Sequence, residues 1–258
     1  MVAIGAPFSL SGQVAVVTGA SGEIGSQVAI ELARRGAAIV AIDMKDGQSV
    51  VNDIVHAGGE AMSVVVDLRV DTETERGVAR ALEWRGRIDV LVNMVGVYYD
   101  VPRVPFWEID GDRWDSMIQS NLRTVFLACK AVSGTMREAG RGRIVNVSSN
   151  VSVFGMGNFM HYVAAKAGVV GLTRSMAREL GPFGVAVNAV APGLVRTRLG
   201  EAELSPDYLQ SVVNGQMLRQ PIEASDVVNA VAFLSSEESR LITGQTILVN
   251  GGATAGPF

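Results

Sequence analysis

The sequence holds one cysteine and two histidines among 258 residues. Cys129 alone cannot close an internal disulfide, which fits a reducing cytoplasm. It follows the apolar stretch Val125-Phe126-Leu127-Ala128, so a packed core thiol is expected rather than a nucleophile. No His/Cys/Asp cluster has metal-ligand spacing, so no metal is expected. His56 has no motif around it. Charge of one sign is scarce as well: the net charge is −4 and basic clusters are few, which argues against nucleic acid. Arg137, Arg141 and Arg143 flank a glycine-rich turn and read as solvated. No run approaches ~18 uninterrupted apolar residues, so no membrane span is expected. Met1 to Gly12 has neither a basic region nor a long apolar one, so no secretory signal is expected. A soluble, cytoplasmic protein is the reading these absences leave.

Hydrophobic residues make up 48% of the chain and charged ones 19%, which suits one large α/β domain over residues 1–258. Val14–Val17, Ala38–Ile42, Met62–Val66, Val90–Val92, Ile144–Val147, Val185–Val190 and Thr246–Val249 read as strands. Their near-continuous hydrophobicity predicts burial on both faces of a parallel sheet. Helical patterns alternate with them at about Ile24–Arg35, Gln48–Ala57, Thr72–Glu83, Asp112–Glu138, His161–Leu180 and Ala224–Leu234. Gly36 and Gly58-Gly59 close the first two, and Ser225 reads as the N-cap of the last. The alternation predicts an α/β fold: a doubly wound parallel sheet of about seven strands, flanked by helices on both faces. The long irregular stretch from Gly193 to Pro221, with one helical candidate at Asp207–Val213, reads as a substrate lid.

The first strand runs into Thr18-Gly19-Ala20-Ser21-Gly22-Glu23-Ile24-Gly25 and then a helix. Glycines at such a junction permit a tight turn and close approach of a diphosphate, which the helix N-terminus favours. Gly19, Ser21, Gly22, Ile24 and Gly25 are therefore candidate cofactor contacts. Asp43 ends the second strand, where a carboxylate suits a ribose 2′,3′-diol and repels a 2′-phosphate. Met44 follows it in place of an arginine, so NAD is expected over NADP, although Lys45 is near. The alternative for Asp43 is to cap the next helix. Asp67, with Leu68, ends the third strand. There a carboxylate either meets an adenine amino group or caps the helix beginning near Asp71. Asn93 and Gly96 follow the fourth strand at the same edge, where a glycine lets backbone pass close to a ribose.

Tyr162 and Lys166 stand four apart, one above the other on a helical face, and Ser149 precedes the tyrosine by thirteen residues. A free phenol is a poor base near neutrality, with a pKa near ~10. A neighbouring ammonium is expected to lower it, and a serine hydroxyl could share the substrate oxygen. The same spacing also arises on solvated helices without function.

Taken together, these segments resemble the short-chain dehydrogenase/reductase family from about Leu10 to Gly252. The family's T-G-x-x-x-G-x-G matches at Thr18, Gly19 and Gly25, with Glu23 in place of the middle glycine. A carboxylate beside the diphosphate must point outward, or the turn must be reshaped. N-N-A-G appears as Asn93-Met94-Val95-Gly96, and I-V-N-V-S-S ends in Ser149. Pro192-Gly193-Leu194-Val195-Arg196-Thr197 resembles P-G-x-x-x-T. The resemblance implies a Rossmann-type fold and a catalytic set of Asn121, Ser149, Tyr162 and Lys166. Asn121 would lie at a helix kink whose carbonyl holds a relay water. Tyr162 and Lys166 would also meet the nicotinamide ribose. Pro192, Gly193, Val195 and Thr197 would lie at the nicotinamide, and Asn188 would be structural.

An NAD-dependent oxidoreductase acting on a secondary alcohol or its ketone is the leading reading. Phe154, Met156, Phe159 and Met160, with Val95, Val97 and Tyr98, offer an apolar wall for a cyclic or aryl substrate. His161 is expected to pack or face solvent. A 3-oxoacyl-thioester reductase is the alternative, with Arg196, Arg198 and Arg219 as phosphopantetheine contacts. Asp43 argues against it, because biosynthetic reduction normally draws on NADPH. A non-catalytic NAD sensor is a third reading, though it would be expected to lose Tyr162 or Lys166. The resemblance further implies a homotetramer, with Val125, Leu127, Val169, Val170 and Leu172 facing either symmetry mates or the sheet.

Overall fold

The computed structural model describes residues 8–99 and 101–254. Residues 1–7 of the segment read for a secretory signal lie outside them. Seven parallel strands form one sheet in the order β3-β2-β1-β4-β5-β6-β7. They are β1 (Val14–Thr18), β2 (Ala38–Asp43), β3 (Ala61–Val65), β4 (Val90–Asn93), β5 (Gly142–Val147), β6 (Val185–Pro192) and β7 (Thr246–Val249). Every run read as a strand becomes one. Alternate residues of each strand point to opposite faces, so two cores form. On one face Val17, Ile39, Val92 and Val190 pack with Val28, Leu32 and Val231. On the other Val16, Leu91, Ile144 and Val187 pack with Val78, Val132 and Val169.

The helices are α1 (Glu23–Arg34), α2 (Gln48–His56), α3 (Asp71–Arg85), α4 (Gly111–Ile118), α5 (Thr124–Ala139), α6 (Val151–Phe154), α7 (Met160–Leu180), α8 (Arg198–Glu203), α9 (Pro206–Asn214) and α10 (Ala224–Ser235). The single helix read at Asp112–Glu138 is divided by a π-helical turn, Gln119–Arg123, which holds Asn121. Ser225 is not the N-cap of α10. Glu223 takes that place, because its carboxylate and that of Asp226 satisfy each other's backbone N–H in a capping box. Residues 193–221 hold two helices where one was expected. The α8 helix was missed; Thr197 caps it, as Ser205 caps α9. Val125, Leu127 and Val169 are buried in this chain; packing within the fold uses them up, leaving Val170 and Leu172 half-buried.

The chain runs β1, β2, β3 to one edge and then returns to place β4 on the other side of β1. That reversal opens a crevice between the carboxyl ends of β1 and β4, where ligands of such sheets bind. A row of polar side chains lies just beneath it. Asn93 Nδ2 donates to Asn146 Oδ1 at 2.8 Å, and Asn146 Nδ2 donates to Thr173 Oγ1 on α7 at 3.0 Å. Asn93 was read as a cofactor contact, but its side chain is committed to this buried row. Cys129 Sγ lies 3.3 Å from Asn93 Nδ2, and burial pushes the thiol up to about 12. It is a core thiol.

Candidate functional site

The β1–α1 turn needs its glycines. Gly19 has φ +67°, and a Cβ there would lie 3.0 Å from the Met94 carbonyl carbon and the Val95 nitrogen. A Cβ on Gly25 would fall 2.1 Å from Gly19 O. Gly22 precedes α1 and no side chain caps that helix, so its first N–H groups are available to a ligand. Asp43 braces the turn: Oδ2 accepts from Ser21 N at 3.0 Å and Oδ1 from Lys45 N at 3.1 Å. It does not cap α2, whose N-cap is Gly47. Met44 beside it is exposed. The Glu23 carboxylate leaves the turn and reaches the Arg198 N–H, at 3.1 Å from each oxygen.

Asp67 does not cap α3 either, since Val70 occupies that position. Arg69 binds its carboxylate at 2.7 Å and holds it below the usual carboxylate range. Leu68 is buried beside the pair.

Gly96 brings the two halves of the crevice together. A Cβ there would meet Asn121 Oδ1 at 2.9 Å and Lys166 Nζ at 3.0 Å. Asn121, fully buried in the π-helical turn, clamps the loop after β4. Its Oδ1 accepts from Val97 N at 3.1 Å, and its Nδ2 donates to Val97 O at 3.2 Å.

Tyr162 lies on α7 with 7% exposure. Phe159 stacks on it at 4.9 Å between ring centroids, and Tyr98 presents an edge at 5.3 Å. Ser149 lies at its phenol, and the serine hydroxyl acts to lower the tyrosine against burial. Ser148 is turned away, donating to Lys166 O at 2.8 Å, so Ser149 is the serine at the tyrosine. Lys166 is 4% exposed; its Nζ donates to Val147 O at 3.1 Å and lies 5.8 Å from the Tyr162 centroid.

The expected lowering of the tyrosine by Lys166 is not what this geometry gives. Burial among Phe159 and Tyr98 raises Tyr162 well above its ordinary range, with the Ser149 hydroxyl opposing. The ammonium is itself desolvated: burial pushes Lys166 down to about 8. An unfolded lysine titrates near ~10.4, so between those values the unfolded chain binds more protons. Stability contributed by this group therefore rises with pH across that window and is lost below it. The Lys166 contribution to the melting temperature is expected to climb between about pH 8 and about pH 10. Lys166→Met should flatten that climb, and an unchanged slope would exclude Lys166 as its source. Cys129, which burial keeps protonated, opposes this above about 8.5 and Tyr162 above about 10, so the contribution is read as the difference between wild type and Lys166→Met.

Residues 193–221 follow the carboxyl end of β6. Val195 bridges to Ile222, and Gly193 N donates to Val249 O at 2.9 Å, seating the segment on the end of β7 just beyond Pro192. Thr197 Oγ1 accepts from Gly200 N at 3.1 Å and stands 3.3 Å from the Tyr99 hydroxyl. Tyr98, Tyr99, Val101, Arg103, Leu204 and Tyr208 line a cavity of about 390 Å³, shared with Glu203 and Ser205. Arg103 escaped sequence reasoning, since a single loop arginine carries no motif. Its Nη2 donates to the Tyr98 hydroxyl at 2.8 Å, and its guanidinium lies 5.2 Å from both the Tyr98 and Phe159 rings.

The apolar wall is therefore narrower than expected. Met156, Phe159 and Tyr98 pack around Tyr162, whereas Phe154, Met160 and Val97 are exposed and Val95 joins the sheet core. His161 is buried against Phe159, a packing residue as expected. Asn188 is structural, tied to Ile242 O at 2.7 Å and Gln245 N at 3.1 Å. Arg196 is paired with Glu201, and Arg219 lines a second cavity of about 400 Å³ under residues 193–221. Among the described residues no group of His, Cys, Asp or Glu could hold a metal, and no helix is long and apolar enough to cross a membrane.

A turn a Cβ would fill, an uncapped helix end and a strand-end carboxylate together fit a dinucleotide. Comparison with known proteins agrees. A family model described as enoyl-(acyl carrier protein) reductase matches residues 19–254. The 3-oxoacyl-[acyl-carrier-protein] reductase of Escherichia coli K12 is 36% identical over 246 residues, 95% of this chain and 98% of that protein. A (2S)-[(R)-hydroxy(phenyl)methyl]succinyl-CoA dehydrogenase subunit of Thauera aromatica is 36% identical over 247 residues, with 95% and 98% covered. Among solved structures, a Sinorhizobium meliloti dehydrogenase/reductase superposes with TM-score 0.88 at 31% identity, covering 96% of this chain and 97% of that one. Levodione reductase gives 0.87 at 28% identity, covering 94% and 97%. The sheet order, the glycine turn and these relatives converge: the chain is an oxidoreductase of the short-chain dehydrogenase/reductase family.

Proposed function

We propose that the protein interconverts a secondary alcohol and its ketone with NAD. The observation that carries the cofactor choice is Asp43. Two of the acceptor positions of its carboxylate are engaged by Ser21 N and Lys45 N. The remaining lone pairs suit a ribose diol, and the charge disfavours a 2′-phosphate. Gly19, Ser21, Gly22, Ile24 and Gly25 would hold the diphosphate, with Met44 at the ribose and Asp67 and Leu68 at the adenine. Gly96 and the backbone of Asn93 would pass the second ribose, which Lys166 and Tyr162 would also meet. Pro192, Gly193, Val195 and Thr197 would seat the nicotinamide. When bound, the oxidised nicotinamide accepts hydride and its positive charge favours a phenolate nearby.

Tyr162 takes the hydroxyl proton of the alcohol, and Ser149 donates to the oxygen as it becomes a carbonyl. In the resting protein burial keeps the proton on Tyr162, which is the form needed as the acid in the reverse direction. The oxidation requires that proton to leave first, giving the phenolate that a bound oxidised nicotinamide favours. Lys166 offers a cation that can be neutral or charged near physiological pH, and Asn121 fixes the loop facing both. The aromatic lining of Tyr98, Tyr99 and Tyr208 supports a cyclic or aryl substrate.

A second reading, reduction of a 3-oxoacyl thioester, is favoured by the relatives that carry out that reaction. Reduced-nicotinamide absorbance separates the two: cyclic and aryl alcohols and a 3-hydroxyacyl thioester are each supplied with NAD and NADP. Turnover of the alcohols with NAD is expected. Turnover of the thioester alone, or of any substrate with NADP alone, would replace the proposal.

A further inference from the structure

Glu23 occupies the place where the family's phosphate turn carries glycine, and it adds negative charge at the seat of a diphosphate. The carboxylate has a partner far away in sequence. Both oxygens accept from Arg198 N at 3.1 Å, and the Arg198 guanidinium Nε lies 3.8 Å away. The arginine side chain is largely exposed, so its ion pair contributes little. The weight rests on the backbone bonds. Arg198 is the first residue of α8, and the Thr197 cap serves Gly200 instead. Without Glu23 the Arg198 N–H would be one of the donors a helix start leaves unpaired. The base of the same segment is held independently, by Arg196 N donating to Ile222 O at 2.7 Å. Glu23 therefore fixes the part that carries Thr197 and its contact to Tyr99.

We propose that Glu23 is a positioning residue that moors the substrate loop to the phosphate turn, at a cost in diphosphate affinity. This rests on the reading of that turn as the dinucleotide seat. With the loop moored, hydrogen bonds from Arg198 compensate the carboxylate. With the loop released, the charge stands bare beside the diphosphate. Bound dinucleotide and moored loop therefore favour each other, and each must strengthen the other by the same factor.

Two substitutions test this. Glu23→Gln keeps an acceptor and removes the charge; Glu23→Gly removes both. Calorimetric titration with ADP, which has the diphosphate and no nicotinamide, should show roughly tenfold tighter binding in both variants. A merely structural lesion would weaken ADP binding instead. Hydrogen exchange at the Arg198 amide should quicken roughly tenfold in Glu23→Gly. Adding NAD should slow that exchange in the wild type and not in Glu23→Gly. Unchanged or weaker ADP binding by a folded Glu23→Gln overturns the proposal, as does unchanged Arg198 exchange in Glu23→Gly. A wild type that binds neither ADP nor NAD removes the dinucleotide seat itself, and the proposal with it.

Discussion

Tyr162→Phe is expected to cut turnover by about 10³-fold while leaving dinucleotide affinity within about twofold. The phenyl ring keeps the stack on Phe159 and the edge contact with Tyr98, so packing around the site survives. Only the hydroxyl beside Ser149 is lost. Positioned proton transfer contributes typically 10²–10⁴ in rate, so a loss in that range assigns the proton to this oxygen. Steady-state turnover, paired with a calorimetric titration of NAD, measures both quantities. Full turnover in the variant would remove Tyr162 from the chemistry.

Asp43→Ala should weaken NAD binding by more than about 100-fold and leave NADP the better-bound dinucleotide, reversing the preference. Hydrogen bonds to a charged group contribute about 1.5–3 kcal/mol each, and a ribose diol offers two. Alanine also removes the brace on Ser21 N and Lys45 N, so some loss is common to both dinucleotides. The ratio of the two affinities isolates the 2′ position. A ratio unchanged by the substitution would show that selection lies elsewhere on the strand edge.

Much of this site could be read in the sequence because its parts are local. Thr18 to Gly25 is one turn, Asp43 is one strand end, and Tyr162 and Lys166 share one helical face; spacing alone relates the members of each. Strands were legible for a related reason, since burial on both faces writes a continuous apolar run. What stayed hidden depends on contacts between distant segments. Asp67 reads equally as a cap or an adenine contact until Val70 is seen in the capping position. Val125 and Val169 read as faces for a partner or for the sheet, and only the packed core decides. The shift of Tyr162 reversed direction because burial by Phe159 and Tyr98 is a tertiary effect that a four-residue spacing does not encode. Arg103 lies in an irregular segment, where no periodicity places a side chain, and the bond from Glu23 to Arg198 joins the first residues of two helices 175 positions apart.

The polar row beneath the crevice has a consequence for strand alignment. Within β4 and β5 the apolar residues are nearly interchangeable, and valines could slide past one another at little loss of burial. In the observed register Asn93 stands opposite Asn146 on one side and Thr18 on the other. A shift of β4 by two residues would keep every side chain on its own face yet break the bond between the two asparagines and leave the buried Asn93 amide without it, at about 1–3 kcal/mol. The asparagines thus act as a vernier for the three central strands. Gly19, Met94 and the loop leading to Ser149 all leave the sheet within a few residues of that mark, so the site begins level because the amides meet.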